Sequence, residues 1–101
     1  MNKFFLKQAQ ELQAKLTKAQ QELAEMTTEA TSGGGAVKVV IDGQQKVRSV
    51  TISPEVVSAE DMELLEDMIL TAVNEAIRKS QEMAASHLSG LTSGLKIPGL
   101  P

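Results

Sequence analysis

Apolar residues recur over the first quarter of the chain with the spacing of a coiled-coil seam. They step alternately by four and three residues, and glutamine, lysine and glutamate fill most positions between them. The seam consists of Phe5, Ala9, Leu12, Leu16, Ala19, Leu23 and Met26. No glycine or proline interrupts it, so the pattern predicts one long helix over residues 2–25. A seam this narrow either packs on the protein's own core or pairs with a second chain.

The next segment loses the heptad pattern and gains threonines, in "MTTEATS" at residues 26–32. Threonine forms helices weakly and strands well, so we expect a short edge strand here. Gly33–Gly35 then reads as a flexible connection. It is not a phosphate-binding loop, because a strand pattern follows it and no Lys-Ser/Thr pair is nearby.

A β-hairpin is predicted over "AVKVVIDGQQKVRSVTI", residues 36–52. The turn falls at Asp42-Gly43-Gln44, with the glycine supplying a positive φ. If Ile41 pairs with Gln45, then Val39 faces Val47 and Lys38 faces Arg48.

This register makes both faces of the sheet largely apolar. One face carries Val37, Val39, Ile41 and Val47, and the other carries Ala36, Val40, Val50 and Ile52, with Lys38 and Arg48 among them. A sheet that is wet on one side alternates more cleanly. A chain this short has one helical layer to offer, so we expect a homodimer. Its core and interface residues would be Val37, Val39, Ile41, Val47, Val50 and Ile52.

Pro54 ends the hairpin, and Ser58 with Asp61 resembles a capping box for a second helix over about residues 59–86. Its apolar stripe comprises Met62, Leu65, Ile69, Ala72, Val73, Ala76, Ile77, Met83 and Ala84. The following "SGLTSGLKIPGLP" predicts a flexible tail. The expected organisation is a single domain over residues 1–90 and a tail over 91–101. The fold class is α+β: a long N-terminal helix, an antiparallel sheet of about three strands and a long C-terminal helix.

Composition argues against catalysis and metal binding. The chain has no cysteine and a single histidine, His87. Neither supports a zinc site, and the acids of residues 60–67 are scattered around their helix. We therefore predict no catalytic centre, no metal, no cofactor and no small-molecule substrate. The first ten residues lack the apolar core of a signal peptide, and no stretch approaches the roughly 20 apolar residues of a membrane span. We expect a cytoplasmic protein without a membrane partner.

The formal net charge of −3 conceals a polarised distribution. Residues 1–20 hold four lysines against one glutamate, a balance of +3, and residues 36–52 hold three basic residues against one aspartate, a balance of +2. The acidic charge is concentrated in Glu60, Asp61, Glu63, Glu66 and Asp67.

The order of segments resembles the YbaB/EbfC family of bacterial nucleoid-associated proteins. The resemblance covers essentially the whole chain. It is carried by "KQAQELQAKLTKAQQELAEM", "SGGGAVKVVIDGQQKVRSVTISPE", "EDMELLEDMILTAVNEAIRKSQE" and "LTSGLKIPGLP". It implies a tweezer-shaped homodimer in which helical arms project from a body that contains the sheet. It also implies DNA binding and association with the nucleoid.

Charge and resemblance together predict a dimer that binds double-stranded DNA through backbone electrostatics, with little sequence preference. The expected contacts are Lys3, Lys7, Lys15, Lys18, Arg78 and Lys79. The alternative is a protein-interaction module, in which the heptad helix and the tail bind a protein and DNA contact is incidental. The acidic total charge favours this alternative.

Overall fold

The computed structural model describes residues 2–92 and shows two long helices joined by a three-stranded antiparallel sheet. The elements in chain order are α1 (Lys3–Glu25), β1 (Thr27–Ser32), β2 (Val37–Asp42), β3 (Val47–Ile52) and α2 (Met62–Thr92). β2 is the central strand. The predicted α+β class and the order of elements are confirmed.

Helix α1 projects from the rest of the chain. Asn2 caps its start, with a side chain that accepts a hydrogen bond from the Phe4 amide at 2.9 Å, and the helix ends before the extended residue Met26. Its buried residues are Ala19 and Leu23, near its C-terminal end. Residues 3–18, which we call the arm, are exposed apart from the half-buried Leu12. The arm contributes to the elongated dimensions of 68 × 25 × 18 Å.

The predicted register of the hairpin is wrong. Ile41 pairs with Val47 rather than Gln45, and Val39 pairs with Val50, because the register shifts between Val40 and Ile41. The turn is also longer than predicted, since the Asp42 amide donates to the Lys46 carbonyl at 2.9 Å. Its positive φ falls at Gln45, at 64°, and not at glycine.

The corrected register changes the two faces of the sheet. Directly opposed residues share a face, so Val50 and Ile52 lie on the same side as Val39 and Val37. Lys38 lies opposite Thr51, not Arg48. The opposite face carries the polar residues Glu29, Thr31, Lys38, Ser49 and Thr51, with Val40 among them. The prediction of two largely apolar faces is therefore wrong.

The core forms between the apolar face of the sheet and α2. Val37, Val39 and Ile41 of β2 are fully buried there. Their neighbours in the core are Ala30 of β1 and Leu65, Ala72 and Ala76 of α2. Strand β3 receives much less cover, as its residues Val47 and Val50 remain 40% and 47% exposed.

The start and end of α2 differ from the prediction. Ser58 does act as a cap, accepting from the Glu60 amide at 3.3 Å, but it caps a 3-10 turn over Ala59–Asp61 that precedes the helix. The helix continues past the predicted end at Ser86 to Thr92, so it includes residues 91 and 92 of the predicted tail. Residues 93–101 of that tail lie outside the described residues.

The Gly33–Gly35 connection is a tight 3-10 turn with positive φ at each glycine.

Candidate nucleic-acid interface

Four lysines form a stripe along the arm. With 100° of rotation per residue, Lys3, Lys7, Lys15 and Lys18 fall within about 120° of the helix circumference, on the side opposite the apolar seam. All four are exposed. The stripe extends over about 22 Å, at 1.5 Å per residue. Within residues 2–92 none of the four takes part in an ion pair, so their charges are available to an external anion.

The two basic residues of α2 that we predicted as DNA contacts already have partners in the protein. The Arg78 guanidinium pairs with Glu75 and with Glu82 on the same helix. The hydrogen bond and charge of Glu75, with the charge of Glu82, raise the pKa of Arg78 above its ordinary value. Lys79 Nζ donates to the Glu29 carbonyl of β1 at 2.9 Å. The structure therefore separates these residues from the unpaired lysines of the arm.

Arg48 is also engaged inside the protein. Its side chain donates to the carboxylate of Asp42 through Nε and pairs with it through a terminal nitrogen 2.8 Å away. The same Asp42 carboxylate, which is 1% exposed, accepts from the amides of Gln44 at 2.8 Å and Lys46 at 3.0 Å. Hydrogen bonds from the Lys46 amide, the Gln44 amide and the Arg48 guanidinium lower the pKa of the Asp42 carboxyl. They outweigh burial, which acts in the opposite direction.

The acidic segment lies away from the arm. Ser32 Oγ donates to the Met68 carbonyl, which places the acidic start of α2 near the Gly33–Gly35 end of the sheet. The arm leaves from the other end, where the Gly43 amide donates to the Leu23 carbonyl at 2.9 Å. The uneven charge of the sequence thus becomes a separation of charge along the molecule.

An apolar surface lies beside α2, on the part of the sheet's apolar face, at β3, that α2 does not cover. We call it the apolar trough. The strand register and the helical spacing assign to it Val47, Val50 and Ile52 of β3 and Leu70, Val73 and Ile77 of α2. The α2 residues are on the flank turned away from Lys79, which contacts β1. The six predicted sheet residues therefore divide into a buried set on β2 and a set on β3 that borders solvent.

Comparisons with known proteins place this arrangement in a family. The sequence profile of the YbaB/EbfC DNA-binding family matches residues 1–95. The chain belongs to the YbaB/EbfC DNA-binding family. This is a family of nucleoid-associated DNA-binding proteins and not an enzyme family.

Relatives in the YbaB/EbfC family match over nearly their whole length. A nucleoid-associated protein of Desulforamulus reducens is 52% identical over 100 residues, which cover 99% of this chain and 94% of the relative. The nucleoid-associated protein Teth39_2199 of Thermoanaerobacter pseudethanolicus is 50% identical over 95 residues, covering 94% of this chain and 86% of the relative.

A solved structure supports the fold. The crystal structure of the uncharacterized protein HP0035 from Helicobacter pylori superposes with a TM-score of 0.77 and 17% sequence identity. The match covers 90% of this chain and 97% of that chain.

The described residues offer little for other kinds of site. Residues 2–92 contain no group of three or more His, Asp or Glu side chains that could hold a metal ion. Neither long helix has, within those residues, an apolar stretch that could span a bilayer. The residues that sequence reasoning missed are Asp42 and Ser80, both buried, and the contacts of Gln44 and Arg48 with α1. The Asp-Gly pair signalled a turn, but nothing in the sequence linked that turn to α1.

Proposed function

We propose that this protein binds double-stranded DNA as a homodimer, through phosphate contacts made by the lysines of its arms, and acts in the nucleoid. The observation that carries the proposal is the stripe of Lys3, Lys7, Lys15 and Lys18, which are exposed and without ion-pair partners among the described residues. Membership of a nucleoid-associated DNA-binding family supports the ligand.

The stripe fits the duplex backbone better than the base edges. Lysine ammonium groups bind phosphates as point charges, and each contact releases condensed counterions. The arm contains no arginine or asparagine, and its three glutamines are the only residues there of the type that reads adenine. We therefore propose binding with little sequence preference. Arg78 and Lys79 have a smaller part, because binding DNA would require them to give up protein partners.

A dimer supplies the second arm. The apolar trough supports self-association, because contiguous exposed apolar surface marks interaction sites in soluble proteins. Exposed Val47, Val50 and Leu70 would be removed from water by a second copy. Two arms then present eight stripe lysines to one duplex, and binding by both arms strengthens the complex through effective concentration.

The experiment is a gel-shift titration over a series of salt concentrations, with two unrelated duplexes of equal length. If all eight lysines contact phosphates, log K falls against log[salt] with a slope of about −7. Substituting both Lys7→Ala and Lys15→Ala removes up to half of the contacts, so the slope becomes about −4 and affinity falls equally for both duplexes.

The matched control is the double substitution Lys38→Ala and Lys46→Ala. It removes the same charge from the sheet and its turn, away from the arm. We expect this control to bind with the wild-type slope. Equal effects of the two double variants would contradict the arm mechanism. Wild-type protein that failed to bind either duplex would favour the alternative, a protein partner on the exposed seam of the arm.

A further inference from the structure

The β2–β3 turn grips the C-terminal end of α1. The Gly43 amide donates to the Leu23 carbonyl at 2.9 Å, Gln44 Nε2 donates to the Gln20 carbonyl at 2.7 Å, and an Arg48 terminal nitrogen donates to the Ala24 carbonyl at 3.1 Å. The last four carbonyls of a helix lack the usual helical partner, and those of Leu23 and Ala24 are in this set. Helix α1 has neither a C-terminal glycine nor a basic residue in its last turn, and the hairpin supplies donors instead.

The same turn is fixed to the body. Asp42, through its carboxylate, holds the amides of Gln44 and Lys46 and the guanidinium of Arg48. Its main-chain carbonyl accepts from Ser80 Oγ of α2 at 2.6 Å, and Ser80 is fully buried. A chain of direct hydrogen bonds therefore connects α2, the turn and α1.

The contact between the turn and α1 is tight. A Cβ atom on Gly43 would lie 2.7 Å from both the Leu23 carbonyl oxygen and Leu23 Cδ2. Glycine is thus required by close approach rather than by a positive φ. We call the set Asp42, Gly43, Gln44, Arg48 and Ser80 the arm joint.

We propose that Arg48 is a positioning residue for DNA binding: held by Asp42, it fixes the direction of the arm without touching DNA. The proposal rests on the proposed function of the arm. Arg48 suits this role because its planar fork can bind a carboxylate and a carbonyl at once, and its charge is favourable at a helix C-terminus.

A small tilt of α1 at the arm joint produces a large displacement at the far end of the arm. From Glu25 to Lys3 the helix extends about 33 Å, so a tilt of about 10° at the joint moves the tip by about 6 Å. That displacement is nearly twice the rise of about 3.4 Å along the helix axis between successive phosphates of one DNA strand. A loose joint would therefore have to be ordered again each time the lysines meet the duplex, and this lowers affinity.

The first test measures the direction of the arm. The chain has no cysteine, so spin labels can be placed at introduced cysteines, Gln8→Cys on the arm and Gln81→Cys on α2. Dilution with excess unlabelled protein restricts the measured distances to pairs within one chain. We expect a narrow distribution in the wild type and in the control Lys46→Gln, and a broader one in Arg48→Gln. Folding of each variant is checked by circular dichroism at the same temperature.

The second test measures DNA binding by the same variants. We expect Arg48→Gln to lower affinity by about threefold to tenfold while the salt slope stays that of wild type. A residue that contacted phosphate would instead flatten the slope by about 0.9 for each copy lost. Arg48→Lys sharpens the distinction, because it keeps the charge that a phosphate contact needs but lacks the fork. We expect it to behave like Arg48→Gln.

An unchanged distance distribution in Arg48→Gln would overturn the proposal, and so would a flattened slope or full rescue by Arg48→Lys. These outcomes differ from failure of the proposed function, in which wild-type protein itself would not bind the duplex. In that case the distance measurement still decides whether Arg48 directs the arm.

Discussion

At the scale of single residues, Asp42 shows how one side chain can determine the geometry of a turn. Its carboxylate accepts from two amides of the following residues and from Arg48, although it is buried. A buried carboxylate is stable only when it is paired or hydrogen-bonded. The turn therefore takes the longer path that brings Gln44 and Lys46 round to it, and that path displaces the register of β3.

We predict that Asp42 makes stability depend on pH in acid. The Lys46 amide and the other donors lower the pKa of Asp42 in the folded protein, so the carboxylate contributes stability that is fully present above the unfolded pKa, about 4. This contribution is lost as the pH falls through the folded pKa. Thermal unfolding should show a lower Tm for Asp42→Asn than for wild type near pH 7, and the two values should converge as the pH falls through the lowered pKa of Asp42.

The control for this prediction is Glu75→Gln. Arg78 also lowers the pKa of Glu75, but this pair lies on the surface of one helix, where ion pairs contribute little. The control should therefore lower Tm less than Asp42→Asn at neutral pH. A difference between Asp42→Asn and wild type that stayed constant at every pH would contradict a role for the charge.

At the scale of elements, α2 covers only one face of the sheet, and Val39 and Val40 test this as neighbours of the same type on opposite faces of β2. Val39 is fully buried against α2, whereas Val40 is half-buried on the polar face. Truncating a fully buried valine costs about 2–3 kcal/mol from lost transfer free energy and the cavity left behind. We expect Val39→Ala to lower the unfolding free energy by that amount and Val40→Ala by less than about 1 kcal/mol. Denaturant titrations of the two variants measure both, and equal losses would contradict a sheet that is covered on one face only.

The elements themselves could be predicted from the sequence, because their hydrophobic periods are long and uninterrupted. The seam from Phe5 to Leu23 is one such pattern, and the stripe of α2 around Ala72 is another. The register of the hairpin could not be predicted, since it depends on the hydrogen bonds of Asp42 and on a positive φ at Gln45. Glutamine gives no sequence signal for a positive φ. The sequence also predicts too early an end for α2, because Ser89 and Gly90 weaken a helix without ending it.

The candidate site was predictable only in part. The arm lysines follow from charge and helical spacing, both of which are local in the sequence. The partners of Arg78 are also local, at three and four residues' distance. Lys79 and Arg48 contact residues 50 and 24 positions away, at Glu29 and Ala24, and no periodicity reports such contacts.

At the scale of the whole molecule, two arms require two chains, and the apolar trough is where we expect them to meet. Val50 and Thr51 are adjacent on β3 and both exposed, but Val50 lies in the trough and Thr51 on the polar face. In a single chain either position can hold a glutamate in contact with water. In the proposed dimer only a glutamate at position 50 would become buried without a partner, which is costly.

We therefore predict that Val50→Glu is a folded monomer at micromolar concentration by sedimentation equilibrium, while Thr51→Glu remains a dimer. The monomer presents one arm, so its affinity for duplex DNA should fall by about 10²- to 10⁴-fold through lost avidity, and its salt slope should halve because half of the phosphate contacts are gone. Val39→Glu should instead unfold the chain, since that position is buried within the single chain.

A Val50→Glu protein that remained dimeric would show that the trough is not the interface. A monomeric Val50→Glu protein with the wild-type salt slope would show that one arm makes all the contacts, and the two-armed grip would then be wrong.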